Sequence, residues 1–291
     1  MFSANDVKTL REKTGAGMLD CKKALEACEG SLDKAIDWLR EKGTIKAAKK
    51  SDRIAAEGLA NVYIKGNQAV VLEINCETDF VAKNDEFKNL LDTIGNAILE
   101  TGDVKEENVL QVKVGEETIE ELIISLTAKL GEKISFRRFT LMEKADNSYF
   151  GSYLHMGGKI ASVVVIEGGN SEIAREVAMH AAAMRPLYVN ASEVPSDVLE
   201  KEKNIMRQEL LNEGKPADKI ENILVGKIRK YYEEVCLEDQ IFVKSDNKET
   251  VGKYLNNNGA KLISMIRFEV GEGIEKRQDN FVEEVRNQIN N

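Results

Sequence analysis

Histidine is scarce in this 291-residue sequence: His155 and His180 are the two present, and neither stands in a GxSxG or HExxH arrangement. With so few groups able to move protons at neutral pH, an enzyme is not expected. A phosphate loop is missing too, because the Gly-Lys pairs at Gly158, Gly214, Gly226 and Gly252 are followed by Ile160, Pro216, Ile228 and Tyr254 where serine or threonine would be required. Four cysteines, Cys21, Cys28, Cys76 and Cys236, lack CxxC spacing, which fits reduced packing thiols better than a disulfide framework or a zinc site. Nowhere do about eighteen apolar residues run together. The stretch Met1 to Leu10 has no apolar segment and carries Asp6, so neither export nor membrane insertion is expected, and the cytoplasm is the expected compartment. Positive charge is in deficit. Fifty Asp plus Glu against 41 Lys plus Arg give a net charge of −9, which argues against bulk attraction to nucleic acid or an anionic membrane. No cofactor is expected, and the natural partner is another protein.

What is present begins with a short helical module. Ser3 followed by Asp6 marks a helix start, and TGAG, Thr14 to Gly17, breaks the chain. The spacing predicts a second helix from near Met18, carrying Leu19, Cys21, Ala24, Leu25 and Cys28, with Gly30 placed to end it in a left-handed conformation. Ser31 then caps a third helix that presents Leu32, Ala35, Ile36 and Leu39 on one face, with Trp38 beside them and Gly43 as its stop. The glycine loop, alanine-rich helix and final Trp-Leu resemble ubiquitin-associated domains, a likeness of fold that carries no function. Ile45 to Gly58 is basic and then alanine-rich, with Lys46, Lys49, Lys50 and Arg53 close together. Without interleaved aromatics these charges read as a solvated helical linker rather than a phosphate-binding stripe.

The most informative stretch is CETDFVAKN, Cys76 to Asn84. Ahead of it Ala69 to Ile74 is β-prone and largely apolar, and behind it Phe87, Leu91, Ile94 and Ile98 recur at helical spacing. Phe80 therefore sits at a strand-to-helix junction, where two orientations are open. Pointing inward it is a staple or core residue; pointing outward it is a wedge aimed at a partner.

Further on, the chain repeats itself loosely. GEKISFRRF, Gly131 to Phe139, is echoed by GAKLISMIRF, Gly259 to Phe268, and Ala69 to Ile74 with its following helix is echoed by Ile160 to Ile166 and a helix over Ser171 to Met184. Each half thus supplies strand, helix and a further strand. Between Ser196 and Glu234, Val198, Ile205, Met206 and Leu210 face Ile220, Leu224, Ile228 and Tyr231 across a Gly214-Lys215-Pro216 break, which predicts an antiparallel helical hairpin. His180 shares a helix face with Ile173, Val177 and Met184 and reads as a packed histidine, whereas His155, in GSYLHMGGK, is either a hairpin-turn residue or a contact. A final helix over about Asn280 to Ile289 carries Phe281, Val285 and Ile289 on one side. The expected fold class is α+β. It comprises a helical module (1–51), two related subdomains with small antiparallel sheets (52–145, and 146–190 with 237–271), an inserted hairpin (191–236) and a C-terminal helical module (272–291).

Five segments carry a specific resemblance: TGAGMLDCKKAL (Thr14 to Leu25), IKAAKK (Ile45 to Lys50), CETDFVAKN, AMHAAAMRP (Ala178 to Pro186) and IRFEVGEGIEK (Ile266 to Lys276). In this order they make the sequence resemble the bacterial elongation factor Ts family along essentially its whole length. The resemblance implies a guanine-nucleotide exchange factor for the translational GTPase elongation factor Tu. Thr78 to Lys83 would enter the partner's GTPase domain near its bound magnesium, with Phe80 as the wedge and Asp79 placing it and disturbing the polar network around the metal. Val81, Ala82 and Lys83 would complete that surface. Met18 and Leu19 would dock on the same domain, with Lys22 and Lys23 near the rim and the last helix reinforcing the grip. The His155 turn, with Gly157 and Gly158, would hold a more distant domain of the partner. Ala161 stands where the family commonly has glycine, and the hairpin resembles the family's extended form; a homodimer and a two-by-two complex with the partner are both compatible with it. Neither a membrane nor direct nucleic-acid binding is implied. A rival is a ribosome- or RNA-associated binding protein using Lys46 to Arg53, marked by steep salt dependence. Another is a thiol enzyme pairing Cys76 with a histidine, which needs a depressed thiol pKa.

Overall fold

A computed structural model describes residues 2–275. Among them the chain divides into two compact units, one of residues 2–59, 73–138 and 270–275, the other of 60–72 and 139–269. The helix expected near Asn280 to Ile289 lies outside the described residues.

In the first unit, Ser3 caps α1 (Ala4–Thr14) through a capping box: its Oγ accepts from Asp6 N at 3.3 Å, and Asp6 accepts from Ser3 N at 2.7 Å. Next come α2 (Met18–Ala27) and α3 (Leu32–Ala48). Val7, Leu10, Cys21, Ala24, Leu25 and Ala35 are the buried centre of these three helices, with Trp38 packed against them. The left-handed turn expected of Gly30 after α2 begins one residue earlier: Glu29 has φ 53° and Gly30 φ 87°, and Gly30 N donates to Leu25 O at 2.8 Å.

Strands β1 (Glu57–Lys65) and β2 (Gln68–Cys76) follow, then the single turn α4 (Asp79–Lys83) and the long α5 (Asp85–Thr101). A two-stranded ribbon, β3 (Lys113–Val114) and β4 (Glu117–Thr118), leads into α6 (Ile119–Leu130) and β5 (Ser135–Glu143). The sheet order is β1-β2-β5. Its central strand β2 is buried from Ala69 to Cys76 without alternation, as expected of a strand covered on both faces.

One expectation fails here: Gly43 does not stop α3, which runs on to Ala48. Gly43 is buried against α6, where a Cβ built on it would stand 3.6 Å from Ala128 Cβ. Burying that face outweighs the roughly 1 kcal/mol that an interior helical glycine costs. The start of the expected helical linker is therefore continuous with α3.

The second unit holds β6 (Ser148–His155), β7 (Ile160–Gly168) and α7 (Ser171–Met184). Then come the hairpin helices α8 (Ser196–Asn212) and α9 (Ala217–Val235), followed by α10 (Val251–Asn257) and β8 (Ala260–Glu269). Both pairings in the sheet β6-β7-β8 are antiparallel. Ala161 sits buried in regular register between Leu154 and Phe268. Helix α7 crosses β6 so closely that a Cβ at Gly151 would lie 2.0 Å from the Ala174 carbonyl carbon, which only glycine allows. Each three-stranded sheet thus has a central strand, β2 or β7, followed by a helix and later by the strand that closes it, as the repeat predicts.

Candidate partner-binding surfaces

Phe80 points outward. It is 81% exposed, in the first turn of α4, a helix whose one buried residue is Ala82. Five residues are too few to hold a helix alone, so the turn depends on its flanks. Thr78 is the N-cap: its Oγ1 accepts from Val81 N at 3.3 Å and donates to Glu132 Oε1 at 2.7 Å, while Thr78 N donates to Glu132 Oε2 at 3.0 Å. Asp79 does not cap the helix; it pairs with Lys83 at 2.6 Å across one turn. Asn84 closes α4 and caps α5, accepting from Glu86 N at 2.8 Å. Cys76 is fully buried and donates Sγ–H to Thr78 O at 3.1 Å, an inert environment for a thiol. Val81 is half-buried and Lys83 exposed.

In the same unit, Met18 (50% exposed) and Leu19 (73%) open α2 facing solvent, with exposed Lys22 and Lys23 one turn on and Lys22 3.8 Å from Glu26. Asp20 meets Lys46 at 2.9 Å and so fixes the start of α2 on α3. Lys129 of α6 lies against the TGAG loop, since a Cβ at Gly15 would stand 2.8 Å from its Nζ, and the same Nζ pairs with Glu86 of α5 at 2.7 Å. One lysine thereby connects the loop before Met18 and Leu19 to the helix just after the Phe80 turn.

The basic stretch is largely engaged within the unit. Lys46 is paired with Asp20, Lys50 donates to Gly131 O, and Arg53 reaches Glu77 at 3.3 Å. Lys46, Lys50 and Arg53 are thus tied within the unit, while Lys49 is exposed.

In the second unit, His155 ends β6 exposed, its ring stacked on Tyr153 at 6.3 Å between centroids. The reversal to β7 uses Met156, Gly157 and Gly158 at φ 49°, 65° and 98°; Gly157 is exposed, and buried Gly158 accepts from Ala60 N at 2.8 Å. Met156, 72% exposed, was not foreseen as part of this surface, although its place between a histidine and a glycine pair marks it as the tip of a turn. His180 is a packed residue, as its helix face suggests. It is fully buried, Nδ1 accepting from Val243 N at 3.2 Å and Nε2 lying 3.0 Å from Gln240 Oε1. With Nδ1 accepting, Nε2 carries the proton and donates. Burial pushes the imidazole pKa down, partly countered by the Gln240 bond. The signal that sequence reasoning missed is Glu132, which lies 54 residues from Thr78 and shows no local motif connecting the two.

The fold defines a class: an α+β protein of small antiparallel sheets with an N-terminal helical segment. Within it the family is specific. The family model described as Elongation factor TS matches residues 77–272, and the chain is 51% identical over 289 residues to Elongation factor Ts of Limosilactobacillus fermentum (strain NBRC 3956 / LMG 18251), covering 99% of each. The chain belongs to the elongation factor Ts family, and its role is that of a translation elongation factor. No helix among the described residues is long and apolar enough to cross a membrane.

Proposed function

We propose that this chain is a guanine-nucleotide exchange factor that binds elongation factor Tu with GDP bound, perturbs its magnesium and phosphate site, and so promotes GDP release and exchange for GTP. It does so by contact, without a catalytic centre of its own. The observation that carries this reading is the outward Phe80, an aromatic 81% exposed on a turn whose neighbours are capped and ion-paired. A phenylalanine held in water at the end of a buried strand has no role in its own core. Phe80 enters the partner as the wedge, Asp79 disturbs the polar network around the metal, and Val81 and Lys83 flank the contact. Ala82, buried, seats the turn. Met18 and Leu19 grip the same GTPase domain, with Lys22 and Lys23 at the rim, and the His155, Gly157 and Gly158 turn holds a more distant domain.

Linkage supplies the mechanism: a protein that binds the nucleotide-free partner more tightly than the nucleotide-bound one weakens nucleotide affinity by the same factor. Burying one phenylalanine is worth roughly 1.5 to 3 kcal/mol, about tenfold to a hundredfold in an equilibrium. A tightly held nucleotide needs more than that, so the wider surfaces contribute the rest. The test follows release of fluorescent GDP from elongation factor Tu with the wild-type chain and with Phe80→Ala. Wild type accelerates release; Phe80→Ala slows the saturated rate about tenfold or more while the melting temperature hardly moves. No acceleration by the wild type ends the reading. A variant that melts far earlier, as expected when core truncation costs about 3 to 5 kcal/mol, and still exchanges at the wild-type rate removes the wedge.

A further inference from the structure

Among the described residues, two helices have complete capping boxes in which the acid comes from the third helical residue: Ser3 with Asp6, and Thr118 with Glu121. In α4 the third residue is Val81, which cannot close the box. The missing acid comes from Glu132 instead, just before β5, whose carboxylate accepts both the backbone N–H of Thr78 and its hydroxyl. A hydroxyl that donates its one proton to a carboxylate keeps its lone pairs for the helix, which is how Thr78 Oγ1 receives Val81 N. Next door the exchange is returned: Glu77 Oε1 accepts from Lys133 N at 2.6 Å, and Lys133 Nζ donates to Ser51 O and Arg53 O at 2.6 and 3.0 Å. Residues 77–78 and 132–133 thus form a reciprocal carboxylate-to-amide latch.

We propose that Glu132 is a positioning residue for the Phe80 wedge, completing in trans the capping box that Val81 leaves open and so holding the aromatic in water. An exposed phenylalanine gains by folding back onto its own surface, and a five-residue turn seated by Ala82 alone does little to prevent it. Supplying the acid from a distant loop has a second consequence. It frees the third helical position for an apolar residue at the contact surface. This inference rests on the exchange-factor reading above.

The experiment compares Glu132→Ala, Glu132→Gln and Thr78→Val in fluorescent GDP release from elongation factor Tu, each alone and combined with Phe80→Ala. Loss of charge-assisted bonds lowers the saturated release rate by about tenfold to a hundredfold with little change in the half-saturating concentration, and Thr78→Ser restores most of it. In the Phe80→Ala background the same substitutions cost less than about twofold, because an effect transmitted through Phe80 disappears with it. Equal losses in both backgrounds overturn the proposal. Native-state hydrogen exchange of the free chain judges the latch separately: Glu132→Ala speeds exchange at the Val81 and Ala82 amides and leaves Phe87 to Ile98 protected. Unchanged protection at Val81 overturns it whatever the exchange assay gives. If Phe80→Ala alone leaves GDP release untouched, the functional reading falls while the hydrogen-exchange result still decides whether Glu132 holds the turn.

Discussion

At the scale of single residues, the fold is held by buried polar groups whose hydrogen-bond partners come from distant parts of the chain. Glu73 is fully buried and receives Arg137 Nη1 at 2.9 Å, Arg138 Nε at 2.7 Å, Asn75 Nδ2 at 3.0 Å and Gly271 N at 2.8 Å, so that its carboxyl oxygens are surrounded by donors. His180 is a second such group. Its Nδ1 must stay unprotonated to accept from Val243, and Gln240, which receives its other nitrogen, donates in turn to Met184 O and Glu234 O at the ends of α7 and α9. Because its folded-state pKa is depressed, the unfolded chain takes up a proton first as pH falls through about 6.5. The unfolded state then binds more protons than the native one, so stability present above that pH is lost below it, at no more than about 1.4 kcal/mol per pH unit for this one site. Urea unfolding at pH 7 and 5.5 should show the loss in the wild type and a smaller one in His180→Asn. Identical pH dependence in both would mean that another group carries it. The packed histidine was legible from its helix face, but Gln240 as its partner was not, since 60 residues separate them.

Among elements, what could be read in the sequence was what depends on neighbours along the chain. Ser3, Ser31 and the Gly214 to Pro216 break announce helix ends because caps and breakers act within a turn, and the apolar spacing of α8 and α9 is kept in Leu210, Ile220 and Leu224, which are buried, whereas Ile205 is exposed. Gly43 misled because its helical neighbours are rescued by α6, a surface no local pattern reveals. The outward turn of Phe80 was undecidable for the same reason, its support lying on Glu132. Gly43 also offers a test of that account. A methyl there would meet Ala128 Cβ at 3.6 Å and Ile124 Cγ2 at 3.9 Å, both ordinary contacts, and alanine lowers the entropy of the unfolded chain. Gly43→Ala should therefore raise stability by about 0.5 to 1 kcal/mol, read as a higher urea midpoint at unchanged slope. A lower midpoint would show that α3 and α6 have no room for the added carbon.

For the whole molecule, the question is which parts are separable and what each does in a complex. The two hairpin helices bury their apolar residues and pair their charges: Leu210, Ile220 and Leu224 are buried, and Arg207–Glu221 and Lys227–Glu209 close at 2.9 Å between α8 and α9. At its root Leu187 N and Tyr188 N donate to Val235 O at 2.8 and 3.1 Å, and Leu237 N to Tyr188 O at 2.9 Å, so the two chain ends already run side by side. Replacing 196–234 by a short glycine linker should leave a cooperative melt, because closing adjacent ends costs little entropy; loss of that melt would make the hairpin part of the core. Removing the N-terminal module is a poorer experiment, since α3 covers α6 at Gly43 and Lys50 holds Gly131 O. Its role is better tested by Met18→Ala combined with Leu19→Ala, which leaves the module's buried centre intact. Both side chains are at least half exposed, so the melting temperature should stay put. A grip that acts equally on nucleotide-bound and nucleotide-free partner sets how much factor is needed and leaves the saturated rate alone. The double variant should raise the half-saturating concentration for GDP release about tenfold at an unchanged maximal rate, the opposite split from Phe80→Ala. Were the maximal rate to fall instead, Met18 and Leu19 would belong with Phe80 to the contacts that distinguish the two states of the partner, and the division between grip and wedge would have to be given up.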